Sequence, residues 1–273
     1  MPKSQTEKCA DFRALHERGC FIIPNPFDVG SAVALQSLGF KALATTSAGF
    51  AWTRGGPDGG VGRDMVLTHL AEVAAATDIP LNADFEGGFA VEPDEVAANV
   101  DMAVRTGISG LSIEDSTGEA AEPLYAFDLA VARIAAARKA IDATRRDVLL
   151  TGRSEGFIRN RPDLEETIRR LKAYSEAGAD CLYSPGISSE SDIAAVVAAV
   201  APKPVNFLST GHPVSVLERL GVRRISVGGS LARAAWAGFL TAAREMAEKG
   251  EFTALAHGAS GRDLNAMFTA HIG

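Results

Sequence analysis

The chain has 273 residues, 47% of them hydrophobic, and a formal net charge of −7. That is enough apolar material for one large core, and the wrong charge for a surface built to neutralise nucleic-acid phosphate or anionic lipid. Cys9, Cys20 and Cys181 are far apart, with no CxxC or Cys/His cluster, and the N-terminal MPKSQTEKCADFRALHERG lacks the apolar stretch of a signal peptide. No run reaches the eighteen apolar residues of a membrane span, so a reduced, cytoplasmic protein is expected.

Short apolar runs alternate with helical patterns along the whole chain. Phe21–Pro24 reads as a first strand, followed by the helical DVGSAVALQSLG. Ala42–Ser47 is a second strand, leading into a glycine-rich loop, Ala48–Gly62 (AGFAWTRGGPDGGVG). Pro80–Glu86 and EPDEVAANVDMAVRTG, then Gly110–Asp115 and DLAVARIAAARKAIDA, repeat the strand–helix alternation. Val148–Arg153 follows, and then DLEETIRRLKAYSEAG, where Leu164, Ile168, Leu171 and Tyr174 recur at helical spacing opposite a charged face. Cys181–Ser184 with SDIAAVVAAV, Pro204–Ser209 and Arg224–Gly228 complete eight strands. Eight such units predict a single α/β domain over residues 1–273, a (β/α)8 TIM barrel with extra C-terminal helices. An open doubly wound sheet is the competing architecture, but no GxGxxG follows the first strand. The apolar-rich helix SLARAAWAGFLTAAREMAEKG and a helical tail over Glu251–Phe268 come last. Trp236 and Phe239 exceed what one barrel face needs, so residues 230–270 are expected at a subunit interface of a homo-oligomer, an ordinary core helix being the alternative.

Asp84-Phe85-Glu86 and Glu114-Asp115 each close a predicted strand and Arg153 closes the next. These groups are expected to converge on the C-terminal rim, where barrels carry their active sites. Strand alternation would put Asp84 and Glu86 on one side, Glu114 on the adjacent strand would reach the same point, and Asp58 in the glycine-rich loop would join through a water. Crowded carboxylates repel unless a cation lies among them; Mg²⁺, or Mn²⁺ in its place, takes hard oxygen ligands and keeps several waters. The absence of His and Cys among these residues disfavours zinc. Helix capping, or pairing with arginines, is the plainer alternative for any one of the acids.

Arg153, in TGRSEG, suits a substrate carboxylate because its planar fork binds two oxygens, and a salt bridge to Glu114 or Glu155 is compatible with that role. Thr46-Ser47-Ala48 offers small side chains and backbone N–H groups for an oxyanion. Asn206 is either a donor to a carboxylate or a satisfied core amide. No lysine falls at a strand's C-terminal end, so Schiff-base chemistry is not expected. His212, in STGHP, is the histidine placed to reach the rim as a general acid or base.

The motifs ATTSAGFAW, the loop with Pro57-Asp58-Gly59, NADFEGGF, LSIEDS, TGRSEGF and GVRRISVGGSLARA together resemble the isocitrate lyase and phosphoenolpyruvate mutase superfamily, over almost the whole chain. The resemblance implies an Mg²⁺-dependent barrel acting on 2-oxo or 2-hydroxy acids. In it Thr46, Ser47 and Ala48 hold the substrate's oxo and carboxylate oxygens, Arg153 grips the carboxylate, and Asp58, Asp84, Glu86 and Glu114 form the metal's inner and outer shells. It also implies a homotetramer whose last helices exchange between neighbours. The sequence departs from the family in the loop after the fourth strand. Isocitrate and methylisocitrate lyases carry a Lys-Lys-Cys-Gly-His run there, and the phosphonate-converting branch a lysine and an asparagine. Here Ser116 to Tyr125 reads STGEAAEPLY, offering only Glu119, Glu122 or Tyr125 as replacements.

The function expected is therefore an Mg²⁺-dependent lyase or decarboxylase that cleaves a C–C bond of a small 2-oxo or 2-hydroxy dicarboxylate, oxaloacetate-like or substituted-malate-like, through a metal-bound enolate. Loss of CO₂ needs no acid at the departing end, which favours decarboxylation. One alternative is P–C bond chemistry on phosphonopyruvate-like compounds. The other is a non-catalytic barrel that binds a 2-oxo acid. Neither a nucleic-acid nor a membrane partner is expected.

Overall fold

In the computed structural model, which describes residues 2–209 and 211–272, eight parallel strands form a nearly closed barrel wrapped by helices. The strands are β1 (Phe21–Ile23), β2 (Leu43–Ala44), β3 (Leu81–Asp84), β4 (Gly110–Glu114), β5 (Leu149–Arg153), β6 (Cys181–Tyr183), β7 (Val205–Leu208) and β8 (Arg224–Ser226). β1 pairs with β8, and the ladder then runs through β7 and its neighbours to β2. The remaining seam is bridged by the Ala44 N–H donating to the Pro24 carbonyl at 3.0 Å and by Asn25 Nδ2 donating to the Thr45 carbonyl at 2.9 Å. All eight expected strands are present and each is shorter than expected; in all but β5 the C-terminal residues leave the ladder at the rim.

The helices are α1 (Gln5–Glu17), α2 (Val29–Ser37), α3 (Ser47–Thr53), α4 (Arg63–Ala76), α5 (Pro93–Arg105), α6 (Phe127–Ala143), α7 (Leu164–Glu176), α8 (Glu190–Val200), α9 (Val214–Arg219), α10 (Ser230–Lys249) and α11 (Gly261–Ile272). Their starts are chemically marked. Asp28, Asp163 and Ser189 each accept a backbone N–H from the first turn of the helix they cap. Valine, leucine and isoleucine of the inner helix faces form one continuous core with the strands, while Phe12 of α1 is buried with Ile23, Ala42, Ala44 and Leu149 in a second cluster.

Two sequence expectations change. Ala42–Ser47 is not one strand, because Thr46 is extended and its Oγ1 accepts the Gly49 N–H at 3.2 Å, which starts α3 at Ser47. The first part of the expected glycine-rich loop is therefore helical. Gly49 is required there, since a Cβ would stand 2.5 Å from Thr46 Cγ2 and 3.0 Å from Phe27 Cβ. The C-terminal tail divides into a short 3₁₀ turn, Thr253–His257, and α11.

Register fixes the rim. Glu114 pairs with Arg153, Arg153 with Tyr183 and Tyr183 with Asn206, so four polar or aromatic side chains stand on one row of neighbouring strands. Asp84 pairs with Ser112 on the same side of the barrel. Among the described residues no helix is long and apolar enough to cross a membrane, and the three cysteines are free.

Candidate active site

Arg153 is the hub of the rim. Its Nη1 lies 3.0 Å from Asp84 Oδ1 and 3.2 Å from Glu114 Oε2, and its Nε lies 2.5 Å from Glu155 Oε1. No described protein acceptor takes up its Nη2. Glu114 and Glu155 each face a second arginine: Arg159 Nη2 is 3.6 Å from Glu114 Oε1, and Arg159 Nε is 3.5 Å from Glu155 Oε2. Two carboxylates thus bridge two guanidinium groups, tightly to Arg153 and loosely to Arg159. Burial pushes both Glu114 and Glu155 above the ordinary carboxylate range despite the arginines.

Asp84 ends β3 with both oxygens engaged, Oδ1 by Arg153 and Oδ2 by the Ser47 N–H at 2.9 Å, while its own N–H donates to Thr45 Oγ1 at 2.9 Å. The Ser47 amide, expected for a substrate oxyanion, therefore positions Asp84 instead. Glu86 is not on the strand. Its φ is +47°, in the left-handed region, so strand alternation is not what carries it toward the site. A tight turn does so, with the Gly88 N–H donating to the Phe85 carbonyl at 2.9 Å and the Glu114 N–H to the Glu86 carbonyl at 3.0 Å. Burial, together with the facing Asp84 and Asp58, pushes the Glu86 carboxyl up to about 7.

A second layer holds these groups. Asp115, expected among the site acids, turns away: Oδ1 accepts the Glu155 N–H at 2.8 Å, and Oδ2 accepts Tyr174 Oη at 2.7 Å and Arg170 Nη1 at 3.1 Å. Buried Arg133 donates to the carbonyls of Gly87, Ala90, Val91 and Glu114, which clamps the turn that carries Glu86. Sequence reasoning missed Arg133, Arg159, Arg170 and Tyr174. The available signal was the spacing of Arg153, Glu155 and Arg159 in RSEGFIR.

Two cavities open on the hub. One, of about 190 Å³, is lined by Thr46, Ser47, Ala48, Asp58, Asp84, Arg153, Tyr183 and Asn206 among others. The other, of about 650 Å³, is lined by Ser47, Asp58, Glu86, Glu114, Tyr125, Arg153 and Arg159. Asn206 has both ends of its amide engaged, Nδ2 by Ser226 Oγ at 3.0 Å and Oδ1 by Arg224 Nε at 2.8 Å. His212 lines neither cavity and packs edge-on against Phe207, with ring centroids 5.6 Å apart. The loop from Ser116 to Tyr125 is tied down as a small hairpin: Ser116 bridges Leu124, the Thr117 N–H donates to the Pro123 carbonyl at 3.1 Å, and the Tyr125 N–H to the Asp115 carbonyl at 2.9 Å.

No three His, Cys, Asp or Glu side chains among the described residues are arranged to hold a metal ion directly. Asp58 and Glu86 face the larger cavity and form no ion pair among those residues. This all-oxygen donor set, with two carboxylates lacking a counter-charge, fits a largely hydrated hard cation such as Mg²⁺ better than a closed zinc cage. Asp58, Glu86 and the remaining lone pairs of Asp84 and Glu114 are the groups that could hold it.

The barrel thus carries at its C-terminal rim, where barrels of this class hold their active sites, an acid-lined pocket with an arginine at its centre. The family model described as phosphoenolpyruvate phosphomutase matches residues 12–247. A crystal structure from Burkholderia cenocepacia J2315, described provisionally as a lyase/mutase, is 48% identical, covers 97% of each chain and superposes with a TM-score of 0.94. Oxaloacetate decarboxylase of Paraburkholderia xenovorans (strain LB400) is 31% identical over 225 residues, covering 77% of this chain and 71% of that one. Oxaloacetate acetylhydrolase in complex with the product oxalate is 27% identical, covers 97% and 94% of the two chains, and has a TM-score of 0.85. The chain belongs to the phosphoenolpyruvate mutase family, within the isocitrate lyase and phosphoenolpyruvate mutase superfamily of carbon–carbon lyases and mutases.

Two outcomes follow from the geometry. Asp115→Ala leaves Arg170 and Tyr174 without their buried acceptor and should cost roughly 3–5 kcal/mol in urea unfolding. Glu86 holds its proton more tightly in the folded chain, about 7 against an ordinary 4.5, so its contribution is full at low pH and is lost as pH rises through that range. In chelator, the melting temperature should fall from about pH 5 to about pH 8, and Glu86→Gln should flatten part of that fall.

Proposed function

We propose that the protein is an Mg²⁺-dependent carbon–carbon lyase or decarboxylase of a small 2-oxo or 2-hydroxy dicarboxylate, oxaloacetate-like or substituted-malate-like. The observation that carries the reading is Arg153, held by three carboxylates with Nη2 free, beside two acids that lack a counter-charge. A guanidinium fixed in this way presents a rigid donor to a substrate carboxylate, with little orientational entropy left to lose. Thr46, Ser47 and Ala48 would border the same carboxylate across the smaller cavity. The chemistry supplied by a bound Mg²⁺ would be polarisation of the 2-oxo group. Arg153 would orient the carboxylate and Asp84 would orient Arg153. The larger cavity leaves room for water to protonate the product carbon.

The loop from Ser116 to Tyr125 bears on the bond broken. It lacks the cysteine that would serve as acid toward a departing fragment and the lysine and asparagine that would handle a phosphoryl group, and departure of CO₂ needs neither. The same depleted, tied-down loop supports the second reading, a barrel that binds a 2-oxo acid without turning it over. A relative described as an oxaloacetate decarboxylase, at 31% identity, favours catalysis. A cytoplasmic location, consistent with the three free cysteines, is part of the same proposal.

Purified protein with Mg²⁺ should release pyruvate or another 2-oxo acid from oxaloacetate or 2,3-dimethylmalate, and not from 2-methylisocitrate. Turnover of phosphonopyruvate alone would move the assignment to P–C chemistry, and saturable binding with no turnover would leave the non-catalytic reading. Asp84→Ala should lower kcat/KM at least about a hundredfold by releasing Arg153; full Mg²⁺-dependent activity in that variant would sink the site assignment.

We also propose that α10 and α11 form a subunit interface in a homo-oligomer, a tetramer by family resemblance. Phe239 is 61% exposed and Phe252 64%, and Trp236, Leu240, Leu255 and Leu264 add to the uncovered apolar surface. Sedimentation velocity should give a mass well above the 28.5 kDa of one chain, and Phe239→Asp should reduce it. A wild-type protein sedimenting as a single chain would exclude the interface.

A further inference from the structure

We infer that Arg159 is the receptor for the second carboxylate of the substrate and sets the preference for dicarboxylates. This assignment rests on the proposed 2-oxo or 2-hydroxy acid chemistry and adds to it a specificity residue.

Arg159 and Arg153 face the same two acids under different conditions. Arg153 is 16% exposed and contacts its partners at 2.5–3.2 Å. Arg159 is 41% exposed and stands 3.5 and 3.6 Å from Glu155 and Glu114, too far for good hydrogen bonds. The charges orient it, yet among the described residues its N–H donors have no hydrogen-bonded acceptor. A planar guanidinium with open donors at a cavity wall is built to take a carboxylate through two parallel hydrogen bonds.

Its backbone is fixed. Gly156–Arg159 forms a 3₁₀ turn directly after β5, in which the Ile158 and Arg159 N–H groups donate to the Glu155 carbonyl at 3.0 Å and the Arg161 N–H to the Gly156 carbonyl at 2.9 Å. Asn160 then takes the left-handed conformation at φ +58° that ends the turn. The turn returns Arg159, four residues on, to the side of Glu155.

Arg153 and Arg159 are the cations lining the 650 Å³ cavity, whose other charged walls are Asp58, Glu86 and Glu114. Acidic walls disfavour the far end of a dianion. The loop from Ser116 to Tyr125 brings no lysine, arginine or histidine to offset them. Arg159 also lines the adjoining cavity of about 260 Å³ with Gly118 and Glu119, so it stands where the distal part of a substrate anchored on Arg153 would extend. A monocarboxylate gains nothing from it.

The test is calorimetric titration in the presence of Mg²⁺ with two probes. Oxalate carries both carboxylates on one C–C bond and needs only the Arg153 end. Malate, used as each enantiomer, carries its second carboxylate one methylene beyond the 2-hydroxy carbon. Arg159→Gln should weaken the better-binding malate by roughly tenfold or more, leaving oxalate within about twofold, and Arg159→Lys should recover part of the loss. A purely structural arginine would shift both probes together or neither, and either result overturns the assignment. Absence of oxalate binding to the wild-type protein would defeat the 2-oxo acid reading and this assignment with it. Unchanged malate affinity in Arg159→Gln, with oxalate bound normally, would defeat the assignment alone.

Discussion

The rim depends on one constraint: a single buried guanidinium, Arg153, must hold three carboxylates from three chain segments. Asp84 comes from the end of β3, Glu114 from the end of β4 and Glu155 from the residue pair after β5. Removing three ionised carboxylates from water is costly, and one cation does not compensate all of it. The imbalance shows in Glu86, Glu114 and Glu155, whose proton affinities all rise chiefly through burial. The fold tolerates this stored electrostatic cost because Asp115, Arg170, Tyr174 and Arg133 fix the backbone on which the acids stand.

That division of labour separates two neighbouring acids of the same motif. Glu114 and Asp115 are adjacent, so the strand sends them to opposite faces. Glu114 faces the arginines and the cavity, whereas Asp115 faces α7 and is satisfied there by a tyrosine, an arginine and a backbone amide. The inner acid is poised and the outer one is structural. The contrast is a matter of environment: Glu114 stands 3.2 and 3.6 Å from arginines that it shares with other acids, whereas Asp115 accepts three close hydrogen bonds.

Much of this was legible in the sequence because it follows from period and position. Eight apolar runs at strand length, each followed by a helical repeat, leave few architectures open, and residues at strand ends must lie on the rim. What was not legible depends on where chain segments turn. Thr46 looked like a strand residue because its neighbours are small and apolar, but its hydroxyl caps α3. Glu86 looked like the second acid of an alternating strand, but the strand ends two residues earlier and a left-handed turn carries it onward. Arg159 had no legible role in the sequence, because its spacing from Glu155 in RSEGFIR becomes a contact only through the 3₁₀ turn that brings it back beside that acid. Asn206, read either as a donor or as a core amide, has both amide ends satisfied, a pairing that depends on Arg224 reaching across from the neighbouring strand.

The charge distribution links the two cavities to one kind of ligand. Asp84, Glu114 and Glu155 pair with Arg153 or Arg159 while Asp58 and Glu86 line the same cavity without an ion pair, so the site is acidic when its carboxylates are ionised. An anion entering alone would meet repulsion from most of the wall, and a hydrated cation entering alone would be attracted chiefly to Asp58 and Glu86, the acids without an arginine. The two together satisfy what each leaves unmet: the cation offsets the uncompensated acids and the anion fills the open donors of the arginines. On the proposed reading, binding of either would favour the other with no conformational change required, and the coupling would weaken as Glu86 takes up a proton. On the same reading, a site arranged in this way would select a chelating dicarboxylate over a simple anion, because only the former would engage the cation and both arginines at once.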